Sequence, residues 1–153
     1  MNRPAFAVPL LALSLSLAGC SAGETPKINR ALRPVALTSS SDLAAYGVAD
    51  AVSDQLRIWC TKGLEIRQEG LQLAADSPLV DGQAQAEIER LRAAAEGAEG
   101  AELAVVLAAL LRAHEERLAA LVAGPKFKAK RYLEADRKVS ELDFGLRRWR
   151  LQR

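Results

Sequence analysis

Apolar residues recur at alternating spacings of three and four in the first and last thirds of the chain. The first series is Ala45, Ala49, Val52, Leu56, Trp59, Gly63, Ile66, Gly70 and Leu73, and the last is Tyr132, Ala135, Val139, Leu142, Leu146 and Trp149. This spacing places apolar side chains along one face of a helix and is typical of helices that pack in a bundle. No stretch alternates apolar and polar residues as a half-buried strand would. The pattern therefore predicts an all-α fold.

The first helix has clear start and stop signals. Ser39 and Asp42 are three residues apart and form a start resembling a capping box, with Ser41 as a competing cap. Proline, glycine and short polar residues between 76 and 82 predict a turn. Gly63 and Gly70 lie one heptad apart on the apolar face, where each glycine costs about 1 kcal/mol of helix stability relative to alanine. They indicate either close approach of a partner helix or a local bend, and the sequence leaves both interpretations open.

A second helical stretch begins near Ala84 and contains a short repeat with Gly97 and Gly100. Its apolar face carries Ile88, Leu91, Ala95 and Ala98 before the repeat, and Leu103, Leu107, Leu110, His114, Arg117 or Leu118, and Leu121 after it. The face changes phase between the two series. Because no proline and no cap residue interrupts the repeat, we expect one continuous helix with a weak point.

The last helix is expected to begin at Lys126, because Gly124 and Pro125 are typical of a helix end. Three long amphipathic helices with short connections predict an antiparallel bundle. Residues 126–153 carry 10 basic and 4 acidic residues, although the net charge of the whole chain is only +2. The final helix is therefore predicted to be a basic one.

The N-terminal segment has a different pattern. After Arg3 an apolar run extends from Ala5 to Leu17, with Ser14 and Ser16 as its polar members. It is shorter than the roughly 20 apolar residues that a transmembrane helix needs, and it contains Pro9. It predicts a cleaved export signal rather than a permanent span.

This run ends in Leu17-Ala18-Gly19-Cys20, which resembles the lipobox of bacterial lipoproteins. The resemblance implies recognition of residues 17–19 by a signal peptidase II, cleavage between Gly19 and Cys20, and lipidation of Cys20. An ordinary signal peptide or an uncleaved anchor is the alternative. Two or three acyl chains anchor a protein stably in a bilayer.

The resemblance also implies a location and a domain order. By the sorting rule of enterobacterial lipoproteins, Ser21 in place of aspartate implies the outer membrane, with the protein facing the periplasm of the cell envelope. We predict a signal peptide at 1–19, a lipidated cysteine and flexible linker at 20–40, and a helical bundle at 41–153. The linker assignment depends on Gly23, Pro26, Pro34 and a run of hydroxyl residues that ends at Ser41.

Residues typical of catalysis or metal binding are sparse. His114 is the single histidine and lacks the second histidine of a zinc-protease helix. No serine has the glycine pattern of a nucleophile elbow. The sequence therefore predicts a protein that is not an enzyme and has no metal or cofactor beyond the covalent lipid on Cys20. With Cys20 lipidated, Cys60 is either a buried apolar residue or a thiol available to another chain.

These features predict a structural or protein-interaction lipoprotein of the envelope. The candidate interaction residues are Trp59, Cys60, Gly63, Ile66, Gly70, Lys126, Lys128, Lys130, Arg131, Arg147, Arg148, Trp149 and Arg150. The expected partners are the membrane, through the lipid anchor, and another envelope protein; self-association stays open, and export excludes nucleic acid. Two alternatives remain, a phage outer-membrane spanin that acts in lysis and a protein that binds peptidoglycan or anionic lipid. A basic helix that simply lies along acidic helices of the same bundle would explain the charge equally well.

Overall fold

The computed structural model describes Leu37 and residues 39–150, apart from the side chain of Arg150. The predicted signal peptide, the lipobox and most of the predicted linker lie outside the described residues. Four α-helices are present in the described part: α1 Ser40–Gln68, α2 Gln83–Gly97, α3 Ala101–Leu121 and α4 Ala129–Arg150, with a short 3-10 helix at Gly124–Lys126. The described residues contain no strand. The all-α prediction is confirmed.

Contacts at the two ends of α1 define the direction of the helices. At its start, the Asp42 carboxylate accepts hydrogen bonds from the backbone of Glu99 and Gly100, just before α3. At its end, Arg67 donates to the carbonyl of Gly124, just after α3. α1 and α3 therefore run in the same direction, and α2 and α4 return between the two ends. We call the end where α1 starts the entry end and the end where α1 stops the far end.

The expectation of one continuous helix through the glycine repeat is wrong. α2 ends at Gly97 and α3 starts at Ala101. The sequence lacks a local cap here, but the carboxylate of Asp42, 57 residues earlier, accepts from Glu99 N at 2.8 Å. It also accepts from Gly100 N, at 3.1 Å for the nearer oxygen. A carboxylate bound to free amides at a helix start satisfies donors that have no partner within the helix. The chain therefore breaks where a distant residue supplies the cap.

The predicted start of α1 is confirmed, but its end is not where the apolar series stops. The Ser39 hydroxyl accepts from Asp42 N, as an N-cap does. At the other end the backbone of Leu71 donates to Ile66 O and that of Gly70 donates to Arg67 O. With a φ of +79° at Gly70, this pair of bonds forms a Schellman motif. Gly70 therefore terminates the helix rather than admitting a partner helix.

α4 begins at Ala129, three residues after the predicted start at Lys126. Gly124 has a φ of +60°, and the 3-10 helix that follows turns the chain before α4 begins. Phe127 lies in this connection and packs against the core. The stop signal at Gly124 and Pro125 is correct, because α3 has already ended at Leu121.

The core contains the whole predicted apolar face of α4, the first part of the predicted face of α1 and most of that of α3. All six residues of the predicted α4 face are buried: Tyr132, Ala135, Val139, Leu142, Leu146 and Trp149. In α3 the polar His114 and Arg117 are buried at 1% and 2% exposure, whereas Leu118 is only partly buried. Since α3 and α4 pack against each other along their length, α4 is an integral part of the bundle.

Candidate functional site

The candidate residues predicted on α1 separate into inside and outside positions. Cys60 is 2% exposed, and Gly63 is buried because Leu79 lies directly over its Cα. Trp59 is partly buried against the core, and Ile66 is half-buried. The buried face continues from Leu56 through Cys60 and Gly63 to Arg67 rather than through Trp59 and Ile66. The packing around Gly63 is thus made within the same chain, chiefly by Leu79 of the α1–α2 connection and also by Leu121 of α3.

The candidates at the end of α4 are likewise engaged within the bundle. Trp149 is only 3% exposed and belongs to the core. Arg147 is exposed and lies 3.4 Å from Asp54 of α1, which matches the alternative in which basic residues lie along acidic helices. The guanidinium of Arg148 lies 6.0 Å from the centre of the Phe144 ring, an exposed neighbour on the same helix. The side chain of Arg150 lies outside the described residues.

The remaining four basic candidates lie together at the far end. Lys126, Lys128, Lys130 and Arg131 are all exposed. None of them forms an ion pair with another residue in the described part of the chain. By contrast, Arg137 and Lys138, both about two turns further along α4, pair with Glu141 and Glu116. In α4 and the turn before it, the described cations without an ion pair are therefore the four at the far end and Arg148.

A cavity of about 350 Å³ opens beside these cations. Five of its lining residues are aliphatic, and the polar part of the lining comes from a guanidinium, an amide and a backbone segment. The lining residues are Arg67, Gln72, Leu73, Leu79, Val80, Leu121, Val122 and Gly124. Val80 and Val122 are 48% and 44% exposed, and the neighbouring Leu71 is 55% exposed. Apolar side chains left in water beside a concave surface are typical of an interaction site.

Arg67 lines the base of this cavity. The side chain is 7% exposed and donates to three neutral acceptors, the carbonyls of Leu71 and Gly124 and the amide oxygen of Gln72. The Phe127 ring lies 5.0 Å from its guanidinium carbon, a cation–π contact. Its Nε has no hydrogen-bond partner among the described residues, and no described carboxylate pairs with it. The charge of Arg67 is therefore held by dipoles alone.

A second polar cluster lies inside the bundle, and its hydrogen bonds determine which group donates and which accepts at each contact. Arg117 donates to Nδ1 of His114 at 3.1 Å and to the carboxylate of Asp136 at 2.9 Å. Because a guanidinium only donates, Nδ1 accepts, and the ring proton must lie on Nε2. Nε2 then donates to the Ser53 hydroxyl at 3.0 Å, and this hydroxyl donates to Asp143.

The direction of these hydrogen bonds determines the chemistry of the Ser53–His114 pair. A histidine that activates a serine must accept the hydroxyl proton, whereas His114 donates to Ser53. Burial and the charge of Arg117 also lower the pKa of His114 to about 3. The cluster therefore ties α1, α3 and α4 together as a structural network. The prediction that the chain is not an enzyme remains a prediction.

Burial also governs the other titratable groups near this network. It raises the pKa of the Cys60 thiol, which is in turn lowered by Arg117 to a smaller extent. The pKa of Tyr132 is raised for the same reason, with a further contribution from Asp136. Burial raises the pKa of Asp143 to about 6, against the opposing hydrogen bond from Ser53. A thiol that is buried and protonated is a poor nucleophile.

The sequence did not predict the cavity or the role of Arg67. Arg67 lies four residues after Gly63 and seven after Cys60, on the buried face of α1, and this spacing is the one signal that could have identified it. The position of Phe127 between Lys126 and Lys128 gives no signal of its contact with Arg67. The lipobox residues Leu17, Ala18, Gly19 and Cys20 lie outside the described residues, so lipidation stays a prediction.

Two further tests for function cover the described residues. None of the helices in this part of the chain combines the length and the hydropathy needed to cross a bilayer. No three histidine, cysteine or acidic side chains in the same residues are grouped to hold a metal ion. Comparison of the chain with protein-family models, curated proteins and solved structures finds no match.

Proposed function

We propose that the chain is a lipid-anchored protein of the bacterial cell envelope that binds another envelope component through its far end. The observation that carries this proposal is the combination, at one end of the bundle, of a cavity with five aliphatic lining residues and four exposed cations that form no ion pair with a described residue. At the entry end, the Asp42 carboxylate accepts from the backbone before α3, and the Glu99 carboxylate accepts from two serine hydroxyls. A surface that is not satisfied within its own chain is the best candidate for contact with a partner.

The geometry of α1 supports binding at the far end, because the predicted anchor joins the opposite end of this helix. The linker predicted to carry the lipid joins α1 at the entry end, and α1 has 29 residues. At 1.5 Å per residue, the helix separates the two ends by about 40 Å. A lipid on Cys20 would therefore tether the chain through the entry end and leave the far end free for a partner.

The anchor is tested by labelling cells with radioactive palmitate. Cys20→Ser is expected to abolish labelling and to release the protein from membranes. Cys60→Ala is the matched control, since Cys60 is buried and its loss should leave both unchanged. Labelling of the Cys20→Ser protein would refute the anchor.

The interaction is tested by photo-crosslinking in cells. A photoreactive residue in place of Val122, at the far end, is expected to yield a defined crosslinked envelope component. Val105 is the matched control, because it is exposed to a similar extent, 56% against 44%, and lies in the second turn of α3, at the entry end. Equal crosslinking at both positions would contradict a far-end interaction.

The four unpaired cations favour a second candidate, binding of peptidoglycan or anionic lipid. Deletion of α4 is not a valid test, because its apolar face belongs to the core. The informative variant replaces Lys126, Lys128, Lys130 and Arg131 by glutamine. This candidate predicts loss of sedimentation with peptidoglycan or with vesicles that contain phosphatidylglycerol; unchanged sedimentation would refute it.

A further inference from the structure

We infer that the far end binds an acidic segment of a partner protein that inserts one aliphatic side chain into the cavity beside Arg67. This inference rests on the proposed function and names the partner chemistry of the same site. Three observations carry it: the shape and composition of the cavity, the uncompensated charge at its floor, and the unpaired cations beside it.

The cavity fits an aliphatic side chain. Leu73, Leu79 and Leu121 supply apolar walls, and Val80 and Val122 line the cavity while remaining partly exposed. A volume of about 350 Å³ is at the lower limit for pockets that hold small organic ligands. It accommodates one branched side chain together with its backbone. Filling it would bury the exposed parts of both valines, which favours association.

The charge at the floor favours an acidic neighbour of that side chain. Arg67 is almost fully buried and its three acceptors are neutral. A buried cation without a carboxylate raises the electrostatic potential of the cavity, and the effect is stronger where water is displaced. A partner that brings carboxylates to the mouth of the cavity gains from this potential.

The charge around the cavity is net positive. The two segments that form the far end, 67–82 and 122–131, contain five basic and three acidic residues. Among the acidic ones, the Asp81 carboxylate already accepts from the backbone and the side chain of Gln83. The segment 126–131 contains four basic residues and no acidic one. Complementary charge of this kind speeds association and selects an acidic partner.

The test uses two synthetic peptides. The first has four glutamates around a central leucine, and the second has alanine in place of that leucine. Dissociation constants are measured by NMR titration of the full chain. We expect the leucine peptide to bind about tenfold more tightly, because the alanine leaves part of the cavity empty. Val80→Glu should remove this preference, and Val122→Glu provides a second, independent variant of the same wall.

The charge contribution is separated with neutral variants. Lys126→Gln combined with Lys128→Gln should weaken both peptides by a similar factor, roughly threefold or more, and the effect should shrink at high salt. Arg112→Gln combined with Arg148→Gln is the matched control. Both arginines are exposed, neither forms an ion pair with a described residue, and they lie away from the cavity lining. All variants concern exposed side chains, so the fold is expected to persist.

Several outcomes would overturn the inference. Equal affinity for the two peptides, persistence of the leucine preference in both valine variants, or no binding of either peptide would each exclude the cavity as the site. Binding to phosphatidylglycerol vesicles or peptidoglycan but to neither peptide would assign the cations to a surface rather than to a protein partner. If crosslinking at Val122 succeeds while the leucine preference is absent, the proposed function stands and this inference fails. If the leucine preference holds but Cys20→Ser stays membrane-bound, the proposed anchor fails instead.

Discussion

The entry end and the far end of the bundle differ in how their charged groups are paired. At the entry end, Asp42 accepts from the backbone before α3, and Ser39 and Ser41 both donate to the Glu99 carboxylate. At the far end, Arg67 is bound only by neutral groups and the neighbouring cations have no ion pairs among the described residues. The entry end thus satisfies these polar groups internally, whereas the far end has a cluster of cations without carboxylate partners in the described residues. This difference underlies our proposal that the first end stabilises the fold and the second recognises a partner.

The two most buried arginines extend this contrast into the interior. Arg117 is paired with Asp136 and bound to His114, whereas Arg67 has no carboxylate partner in the described residues. Both are less than 10% exposed. Removing one partner of a buried ion pair leaves the other polar groups unsatisfied and is strongly destabilising. The comparison can thus be tested through stability.

Arg117→Met is expected to have the largest effect. Methionine fills part of the volume but leaves Nδ1 of His114 without a donor and Asp136 without its partner. The free energy of unfolding should fall by about 3 kcal/mol, measured by urea denaturation. Arg112→Met, on the exposed side of the same helix, is the control and should change it by less than about 0.5 kcal/mol. A similar small effect for both would show that the buried network does not stabilise the fold.

The pH dependence should show two groups with opposite signs. The pKa of His114 is lowered from 6.5 to about 3, so the unfolded chain binds a proton that the folded chain does not. Stability from this group is lost as pH falls from about 6.5 to 3. The pKa of Asp143 is raised from 3.8 to about 6, so the folded chain binds the extra proton. Stability from this group is gained as pH falls from about 6 to 4, and the two effects oppose each other there.

Asp143→Asn should remove one of these opposing effects. Relative to the unchanged chain, its free energy of unfolding should fall by about 1.4 kcal/mol for each pH unit between pH 6 and 4, about 2–3 kcal/mol in total. His114→Gln should show the opposite trend, becoming relatively more stable as pH falls. Urea denaturation at several pH values measures both. Parallel pH profiles for the three proteins would contradict the assigned protonation states.

Asp42→Ala tests the entry end directly. The carboxylate caps α3 from a distance, so its loss should lower the free energy of unfolding by about 2 kcal/mol. Asp42→Asn keeps an acceptor oxygen and should lose less, mainly the interaction of the charge with the helix dipole. Urea denaturation of the two variants separates the hydrogen bonds from the charge. Equal losses in alanine and asparagine would mean that the hydrogen bonds to Glu99 and Gly100 contribute little.

The helices were predictable because their signals are local. The Ser39 cap, the apolar face of α4 and the stop at Gly124 each depend on residues within a few positions of one another. The break between α2 and α3 depends instead on Asp42, and no local pattern shows that a residue 57 positions away will supply the cap. Gly70 was ambiguous for a related reason: its spacing fits a helix face, but its φ assigns it to a helix end.

The candidate site was only half predictable. The cluster from Lys126 to Arg131 is visible as a run of charge in the sequence. The cavity is not, because Arg67, Leu79 and Val122 come from three separate segments that meet only in the folded chain. Trp149 shows the opposite case, since its basic neighbours suggested a surface whereas its place in the apolar series puts it in the core. At Trp149 the apolar periodicity predicted burial better than the charge of the neighbouring residues did.

The smallest effect on stability should come from the far-end cations. Lys126→Gln combined with Lys128→Gln removes two exposed charges that have no ion pairs in the described part of the chain, so the free energy of unfolding should change by less than about 0.5 kcal/mol. Loss of binding to the acidic leucine peptide with unchanged stability would separate recognition from folding. A loss comparable to that of Asp42→Ala would instead make these lysines structural, and the contrast between the two ends would disappear. Urea denaturation under the conditions of the peptide titration decides between these outcomes, because both quantities then refer to the same folded state.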